Sequence, residues 1–506
     1  MSMHCGHVTV LTNVRKHPNA DSLLLGTCLR NTVCVSLDYT EGQVGVYFPV
    51  DLQVSVEFGE KNNLLRKKDE NGNNIGGYLD PNKRNIKAIT LRGEKSDGLF
   101  MPLNCLDYCF EDGNAAAHLN IGDTVSVVNG HDICQKYIPQ SKYVRTKGPA
   151  KLRKRSAPIA PTFYEHADTE QLAYNLSAFH PGDEIEITLK MHGTSQRTGN
   201  LKVFQGYDDS FACRAGNAIR HQLNKMGVYH GEDKHDGKPI YGWGGVSGTR
   251  RVVMDTYEGG FYGSNEFRKQ HAEFFEDKLW KGETVYYEVV GFTHTGAPIM
   301  AEVSNSKVND KSFAKMWGKT TVFSYGCEPN GLSGDELLKV EQIAKPYGDE
   351  TRVILKPQSD IYVYRMTMTN EDGEVVEYTP DFMRYRCEMM GVKTVPVLWK
   401  GTIPYTEDDL SSPIPGARTL LKNGTNAGEW IINVAERFYE GADPIGKTHI
   451  REGVVVRILN RPKFTAYKHK NFHFKVLEGI AKDEATEPDM EEASGLYDED
   501  ESGAES

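Results

Sequence analysis

Glu184-Ile-Glu-Ile-Thr-Leu-Lys190-Met-His192-Gly193-Thr194-Ser195 is the stretch on which the reading of this chain turns. Ile185, Ile187, Leu189 and Met191 alternate, so they share one face of a strand, and Lys190 and His192 point from the other. Gly193 lets the backbone turn away or come close to a ligand. A lysine ending a half-buried strand is usually a surface residue whose stem lies along apolar neighbours. The stretch therefore has to be weighed together with the others that carry charge into apolar runs.

Four segments do so. Tyr286-Tyr287-Glu288-Val289-Val290-Gly291 sets a carboxylate inside an apolar strand, and Arg451-Glu452-Gly453-Val454-Val455-Val456-Arg457 does the same. Ala466-Tyr467-Lys468-His469-Lys470 puts two lysines two residues apart, on one face if the chain is extended. Ser247-Gly248-Thr249-Arg250-Arg251 ends on paired guanidiniums after a glycine-rich stretch. A glutamate beside Gly453–Val456 is costly to bury without a cation. Two such strands and a lysine pair point to one shared polar pocket. Arg250 and Arg251 are either phosphate contacts, since the guanidinium fork matches phosphate oxygens, or a surface pair. Tyr364, in Asp360-Ile-Tyr-Val-Tyr-Arg365, reads as a core tyrosine or as a base-stacking one.

Around these segments the chain divides into four. Residues 1–132 hold short alternating runs (Val8–Val10, Thr32–Leu37, Val44–Phe48, Thr124–Val128) between Gly, Asn and Asp turns, which predicts a small β-barrel. Residues 133–164 carry Lys136, Lys142, Arg145, Lys147, Lys151, Arg153, Lys154 and Arg155 with no acid, and Pro139, Pro149, Pro158 and Pro161 argue against a long helix. That segment is a solvated linker, a strap that follows polynucleotide phosphates, or both. Residues 165–482 predict an α+β domain. Its strands are Glu184–Met191, Thr284–Val290, Asp360–Met366 and Glu452–Ile458, its helices Asn265–Lys278, Gly334–Ala344 and Glu429–Tyr439, with Tyr241–Gly248 a loop. Residues 483–506 hold 11 acidic residues and no Lys or Arg, which accounts for the whole formal net charge of -11 and predicts a disordered tail.

Composition excludes several classes. With 39% hydrophobic residues the chain is not globally disordered. It has no apolar run long enough for a membrane span, and its start lacks the apolar stretch of a secretory signal. Nine scattered cysteines without a Cys-x-x-Cys pair fit reduced thiols and a cytoplasmic setting rather than a zinc ribbon.

Taken in order, Lys-x-His-Gly-Thr-Ser, Tyr-Glu-Val-Val-Gly, Arg-Glu-Gly-Val-Val-Val-Arg and Lys-x-Lys resemble motifs I, III, IV and V of the covalent nucleotidyltransferases, which comprise RNA ligases, DNA ligases and mRNA capping enzymes. His192 stands where DNA ligases and capping enzymes have Asp, and Ser195 where DNA ligase motif I closes on Arg. Both point to the RNA ligase branch. His17-Pro-Asn-Ala-Asp-Ser-Leu23, Val46-Tyr-Phe-Pro49 and Leu91-Arg-Gly-Glu-Lys-Ser-Asp-Gly-Leu99 are similar to the OB fold of tRNA-binding modules and of one group of RNA ligases, in which that domain comes first. DNA ligases and capping enzymes carry it after motif V, where this chain has only about 30 residues.

The resemblance implies an N-terminal OB-type barrel followed by an ATP-grasp-like adenylyltransferase domain of antiparallel sheets with flanking helices. It implies an ATP-dependent RNA ligase of RNA repair with Lys190 as the catalytic nucleophile. His192, Gly193, Arg250, Arg251, Glu288, Lys468 and Lys470 would bind ATP, and Glu452 and Glu288 would hold Mg²⁺ or Mn²⁺. RNA is the implied partner, as a nicked duplex or an RNA–DNA hybrid, with no membrane. Two alternatives stand beside this reading: a guanylyltransferase-type capping enzyme, and a non-catalytic OB-fold RNA-binding protein. The long interval 301–447 is either an insertion that contacts RNA or extra scaffold.

Overall fold

The computed structural model describes residues 4–72, 74–138, 157–166, 169–208, 210–226, 238–254, 257, 265–293, 299–300, 311–317, 341–343, 354–356, 359–404, 426–445 and 450–484. It is a mixed α+β chain. Most of the basic segment (139–156) and residues 485–506 of the acidic tail lie outside the described residues.

The N-terminal part holds β1 (Gly6–Val10), β2 (Thr12–Lys16), β3 (Leu23–Cys28), β4 (Asn31–Ser36), β5 (Val44–Phe48), the short helix α1 (Val56–Lys61), β6 (Leu99–Pro102) and β7 (Thr124–Val125). The order β6-β5-β1-β7 makes an antiparallel sheet and β2-β3-β4 a meander; neither closes into a barrel among the described residues. Val8, Val46, Phe48, Phe58 and Leu106 form one core on the sheet, and Cys28, Val33 and Val35 of the meander pack with Tyr47 and Phe100 in another.

Two larger sheets build the rest. Their strands are β8 (Glu170–Gln171), β9 (Glu184–Leu189), β10 (Thr194–Tyr207), β11 (Pro239–Gly248), β12 (Val253–Met254), β13 (Glu283–Gly291), β14 (Ser359–Thr369), β15 (Val375–Glu377), β16 (Lys393–Thr394), β17 (Val397–Thr402), β18 (Gly453–Ile458) and β19 (Thr465–Lys470). The longer helices are α2 (Phe211–Lys225), α3 (Glu266–Phe274), α4 (Pro380–Met390), α5 (Ala427–Ala435) and α6 (Phe472–Glu484), and Lys311–Trp317 is a further short one. The five-stranded sheet runs β8-β19-β18-β9-β17. The seven-stranded sheet runs β12-β11-β10-β13-β14-β15, with β16 added beside β14.

Parity decides what each strand shows. In β13, Val285, Tyr287 and Val289 pack against Phe267, Phe275 and Met383 on the helix side. Glu283 shares that parity, and its carboxylate meets Arg386 of α4 at 2.7 Å with both side chains almost wholly buried. Tyr378 and the Trp280 backbone N–H donate to the same carboxylate, and the Arg386 guanidinium lies 3.8 Å from the Trp280 ring centre. Glu288 has the opposite parity and is the one position of β13 that is not fully buried.

Several expectations are corrected. Tyr241–Gly248 is not a loop but most of β11, paired along its length with β10. Its glycines leave room for neighbours that a side chain would strike, since a Cβ at Gly244 would lie 2.7 Å from Val203. Of the helix expected over 334–344, the described residues Glu341–Ile343 instead form a strand with Ile354–Lys356. Cross-strand pairing there overrides a weak helical preference. The helix expected over 429–439 starts earlier, because Asn426 caps it by accepting the Glu429 N–H at 2.8 Å. Helix α4 was not anticipated, although its signals are plain. Thr379 caps the start, Pro380 takes the first turn, and Gly391 ends it at φ 71°. The tail boundary also moves, since α6 continues through Glu484. No helix among the described residues is long and apolar enough to cross a membrane.

The Glu283–Arg386 pair yields a stability test. Removing one partner of a buried pair strands the other charge, so Arg386→Ala should cost about 3–5 kcal/mol in urea denaturation. Lys400→Ala, which breaks the exposed pair with Asp381, should cost about 1 kcal/mol or less. Equal costs would contradict the parity assignment.

Candidate active site

The five-stranded sheet sets the site out in rows. Glu186 lies opposite Arg457, and Thr188 opposite Val455. Arg457 in turn faces Ala466, Val455 faces Lys468, and Gly453 faces Lys470. The Lys190 N–H donates to the Gly453 carbonyl at 3.0 Å, which continues the ladder by one row. Residues directly opposite share a face. Lys190, Lys468 and Lys470 therefore stand on one face with Thr188 and Glu186, while Ile185, Ile187, Val454 and Val456 bury the other against Trp399 and Trp430.

Glu452 closes the upper row. Its carboxylate lies 2.7 Å from the Lys190 ammonium, 3.3 Å from Lys470 and 3.6 Å from His192 Nδ1, and its side chain is 3% exposed. Burial alone would push the Glu452 carboxyl up. The charges of Lys190 and Lys470 and the hydrogen bond from His192 outweigh it and hold the group well below the usual glutamate range. Lys470 also reaches Glu478 of α6 at 2.7 Å. Gly453 is required where it is. A Cβ there would lie 2.1 Å from the His469 carbonyl oxygen, and its φ is 152°.

The second wall is the seven-stranded sheet. After Lys190 the chain crosses to it, and a Cβ on Gly193 would sit 2.3 Å from the Val289 carbonyl oxygen. Only glycine allows so close a crossing. Ser195 then pairs with Glu288, and its hydroxyl lies 3.1 Å from that of Tyr364. A cavity of about 100 Å³ between the sheets is lined by Lys190, Thr188, Glu186, Glu288, Tyr364, Arg250, Arg457, Phe464 and His166, among others.

Most of the residues singled out by sequence thus converge. Lys190, Glu288 and Arg250 line one cavity, Glu452 and Lys470 bound it through Lys190, and Lys468 shares the face of Thr188. His192 faces Glu452 and packs edge-on against Phe474, with ring centres 4.9 Å apart, which makes it an orienting group for the carboxylate. Of the arginine pair, Arg250 reaches the cavity. Arg251 is exposed and offers its carbonyl to Arg197. Tyr364 stands in the wall, beyond the choice between core and site.

Sequence reasoning missed His166, Arg365, Glu377 and Phe464, which local patterns do not reveal because they come from a loop, separate strands and a turn. Arg365 and Arg457 both hold Glu377, at 2.9 and 3.0 Å. Their guanidiniums lie 4.8 and 4.9 Å from the Phe464 ring centre. Arg457 could have been found, since it shares the parity of Val455. A larger cavity of about 610 Å³, lined by His271, Ser359, Asp360 and Lys393 among others, holds none of the site residues expected from sequence. Its polar groups already pair with one another, as in His271–Ser359 and Lys393–Asp360.

Chemically, the arrangement offers a primary amine in a cavity lined by Lys190, Arg250 and Arg457 against Glu186 and Glu288, which suits a phosphate ester. Among the described residues no group of three or more His, Cys, Asp or Glu side chains could cage a metal ion. That donor set does not fit an ion held mainly by protein ligands. It does fit a hard cation that keeps most of its waters and takes one or two carboxylates, here Glu452 and Glu288.

No protein-family model matches the sequence, and no curated protein does. Among solved structures the chain is similar to Naegleria gruberi RNA ligase. One mutant with AMP and Mn matches over 93% of this chain and 97% of that one, at 14% identity and a TM-score of 0.47. A mutant with ATP and Mn matches over 94% and 97%, at 14% identity and 0.46. An apo mutant matches over 94% and 98%, at 16% identity and 0.47.

The Glu452 environment fixes the sign of a pH effect. Its folded value lies below the ordinary 4.5, so its contribution to stability is complete above that value and is lost as pH falls. The stability gap between the native chain and Glu452→Gln should therefore shrink by about 1 kcal/mol between neutral pH and about pH 4. Urea denaturation at both values measures it, and a gap that does not move would show that the carboxylate is not held ionised.

Proposed function

We propose that this chain is an ATP-dependent RNA ligase that works through a covalent lysyl-AMP. The observation that carries the reading is the placement of Lys190 on a buried Glu452 with Lys470 beside it, in a cavity shared with Glu288. In the first step Lys190 Nζ attacks the α-phosphate of ATP. A P–N bond forms, the P–O bond to pyrophosphate breaks, and the amine loses a proton. An RNA 5′-phosphate oxygen then attacks the same phosphorus and frees Lys190. Last, a 3′-hydroxyl oxygen attacks the activated 5′ end, forms the phosphodiester and releases AMP.

Each residue has a matching task. Glu452 stands 2.7 Å from the Lys190 ammonium as its counter-charge. It orients the amine and Lys470, and with Glu288 it would hold a divalent cation, Mg²⁺ or Mn²⁺, which when bound adds positive charge at the phosphates. Lys470 and Lys468 stabilise charge developing on the α-phosphate. Arg250 meets phosphate oxygens with its fork. Dividing one hard phosphodiester synthesis among covalent steps is the gain of nucleophilic catalysis.

The N-terminal sheets we read as an OB-type unit that grips RNA, with nicked duplexes or RNA–DNA hybrids as substrates in repair. We place the protein in the cytoplasm. All eight cysteines among the described residues are free, which supports a reducing compartment.

Denaturing electrophoresis after incubation with α-labelled ATP or GTP, followed by sealing of a nicked duplex, tests the reading. ATP should label the native chain and Lys190→Ala should take no label, while Lys470→Ala should slow labelling by about 10²–10³-fold. Label from GTP alone would make the chain a capping-type enzyme. RNA binding without any label would leave an RNA-binding protein.

A further inference from the structure

We propose that His166 fills the nucleobase slot of the nucleotide-free protein, so that a nucleotide enters only by displacing it. This inference rests on the reading of the cavity as a nucleotide site.

The rows of the five-stranded sheet give the scale. Glu186 and Arg457 lie four residues back from the row of Lys190, and a strand rises about 3.3 Å per residue, so the two rows are about 13 Å apart. A nucleoside joined to Lys190 through its α-phosphate reaches a comparable distance with its base. At that end of the cavity stand aromatic rings, and His166 is among them. Its ring centre lies 5.1 Å from Tyr286, 5.4 Å from Tyr364 and 5.7 Å from Phe464. Its side chain is a planar heteroaromatic ring, the same kind of surface that a base offers, and the residue is 7% exposed.

The cavity left beside it is about 100 Å³, whereas small-molecule sites run from about 300 to 1,000 Å³. Something has to yield before a nucleoside fits. The strands around the slot are tied into two sheets, but His166 belongs to none of them. It lies in a strap, described over residues 157–166, that runs against β10. The Phe204 N–H donates to the Ile159 carbonyl at 2.7 Å and the His166 N–H to the Arg250 carbonyl at 3.0 Å. Buried Arg197 donates to the Tyr164 carbonyl, and its guanidinium lies 4.2 Å from the Phe163 ring centre. The strap is thus anchored by Ala160 and Phe163, which pack with Leu201 and Val246, while His166 itself lies in no strand ladder.

The ring is also tethered. Arg365 Nη1 lies 3.0 Å from His166 Nδ1, and since a guanidinium only donates, Nδ1 is the acceptor in this contact. When a base displaces the ring, Arg365 keeps Glu377 and its other donor is released toward the slot, where a base nitrogen or carbonyl can take it.

A binding-competent state that is populated for only a fraction of the time lowers the apparent affinity by that fraction. His166→Ala empties the slot, so ATP affinity measured by calorimetry on the full chain should rise by about tenfold if the slot is filled nine-tenths of the time. Pyrophosphate, which has no base, should bind the variant and the native chain alike. In the native chain, labelling of His166 by diethyl pyrocarbonate, read by mass spectrometry, should be slow without nucleotide and fast with a non-hydrolysable ATP analogue. Weaker ATP binding by His166→Ala would make the ring a wall on which the base stacks and would overturn the proposal. So would equal changes for ATP and pyrophosphate, or labelling that the analogue leaves unchanged. If neither protein binds ATP, the nucleotide reading itself fails and takes this inference with it.

Discussion

A carboxylate buried between two ammonium groups organises this molecule. Glu452 is too deeply buried to stay charged by itself, and Lys190 and Lys470 make its ionised form the stable one. The arrangement works only because the ladder between β9, β18 and β19 brings Lys190 and Lys470 to the row of Gly453, next to Glu452. The same pairing sends the apolar parity of those strands into the core around Trp430. Stability and site are therefore two faces of one sheet.

The two glycines flanking this arrangement have complementary tasks. Gly453 lets β18 begin against the His469 carbonyl, which sets Glu452 at the end of its strand. Gly193 lets the chain cross closely to β13, which sets Glu288 in the opposite wall. A side chain at either position would push the walls apart and separate the amine from the carboxylates. The Glu283–Arg386 pair holds the back of the same sheet, so a buried carboxylate is structural on one parity and site-forming on the other.

Much of this was legible because strand alternation is a short-range property. The placement of Ile185, Ile187 and Leu189 against Lys190, and of Val454 and Val456 against Val455, follows from the order of residues alone, and four charged interruptions of apolar runs then converge. What escaped notice depends on contacts made at a distance. His166 lies in a proline-rich strap with no periodic pattern, and nothing near it announces Arg365, which comes from another strand. The glycines of Tyr241–Gly248 read as loop because the side chains that need the space, Val203 and Gln205, sit on a neighbouring strand. Helix α4 escaped for a different reason, since its cap and stop residues were present and its apolar stripe is weak. The four N-terminal runs expected as strands fall on strands, while Thr12–Lys16, Leu23–Cys28 and Leu99–Pro102 went unnamed, and closure into a barrel is a property of edges, which alternation does not report.

The account stands on one ε-amino group acting as a nucleophile rather than as a counter-ion to Glu452. Mass spectrometry of the peptide that contains Lys190, after treatment of the full chain with ATP and magnesium, reads this directly. The account predicts an acid-labile addition of one AMP on that lysine, absent when magnesium is withheld. An unmodified peptide, or an adduct on another lysine, would contradict it.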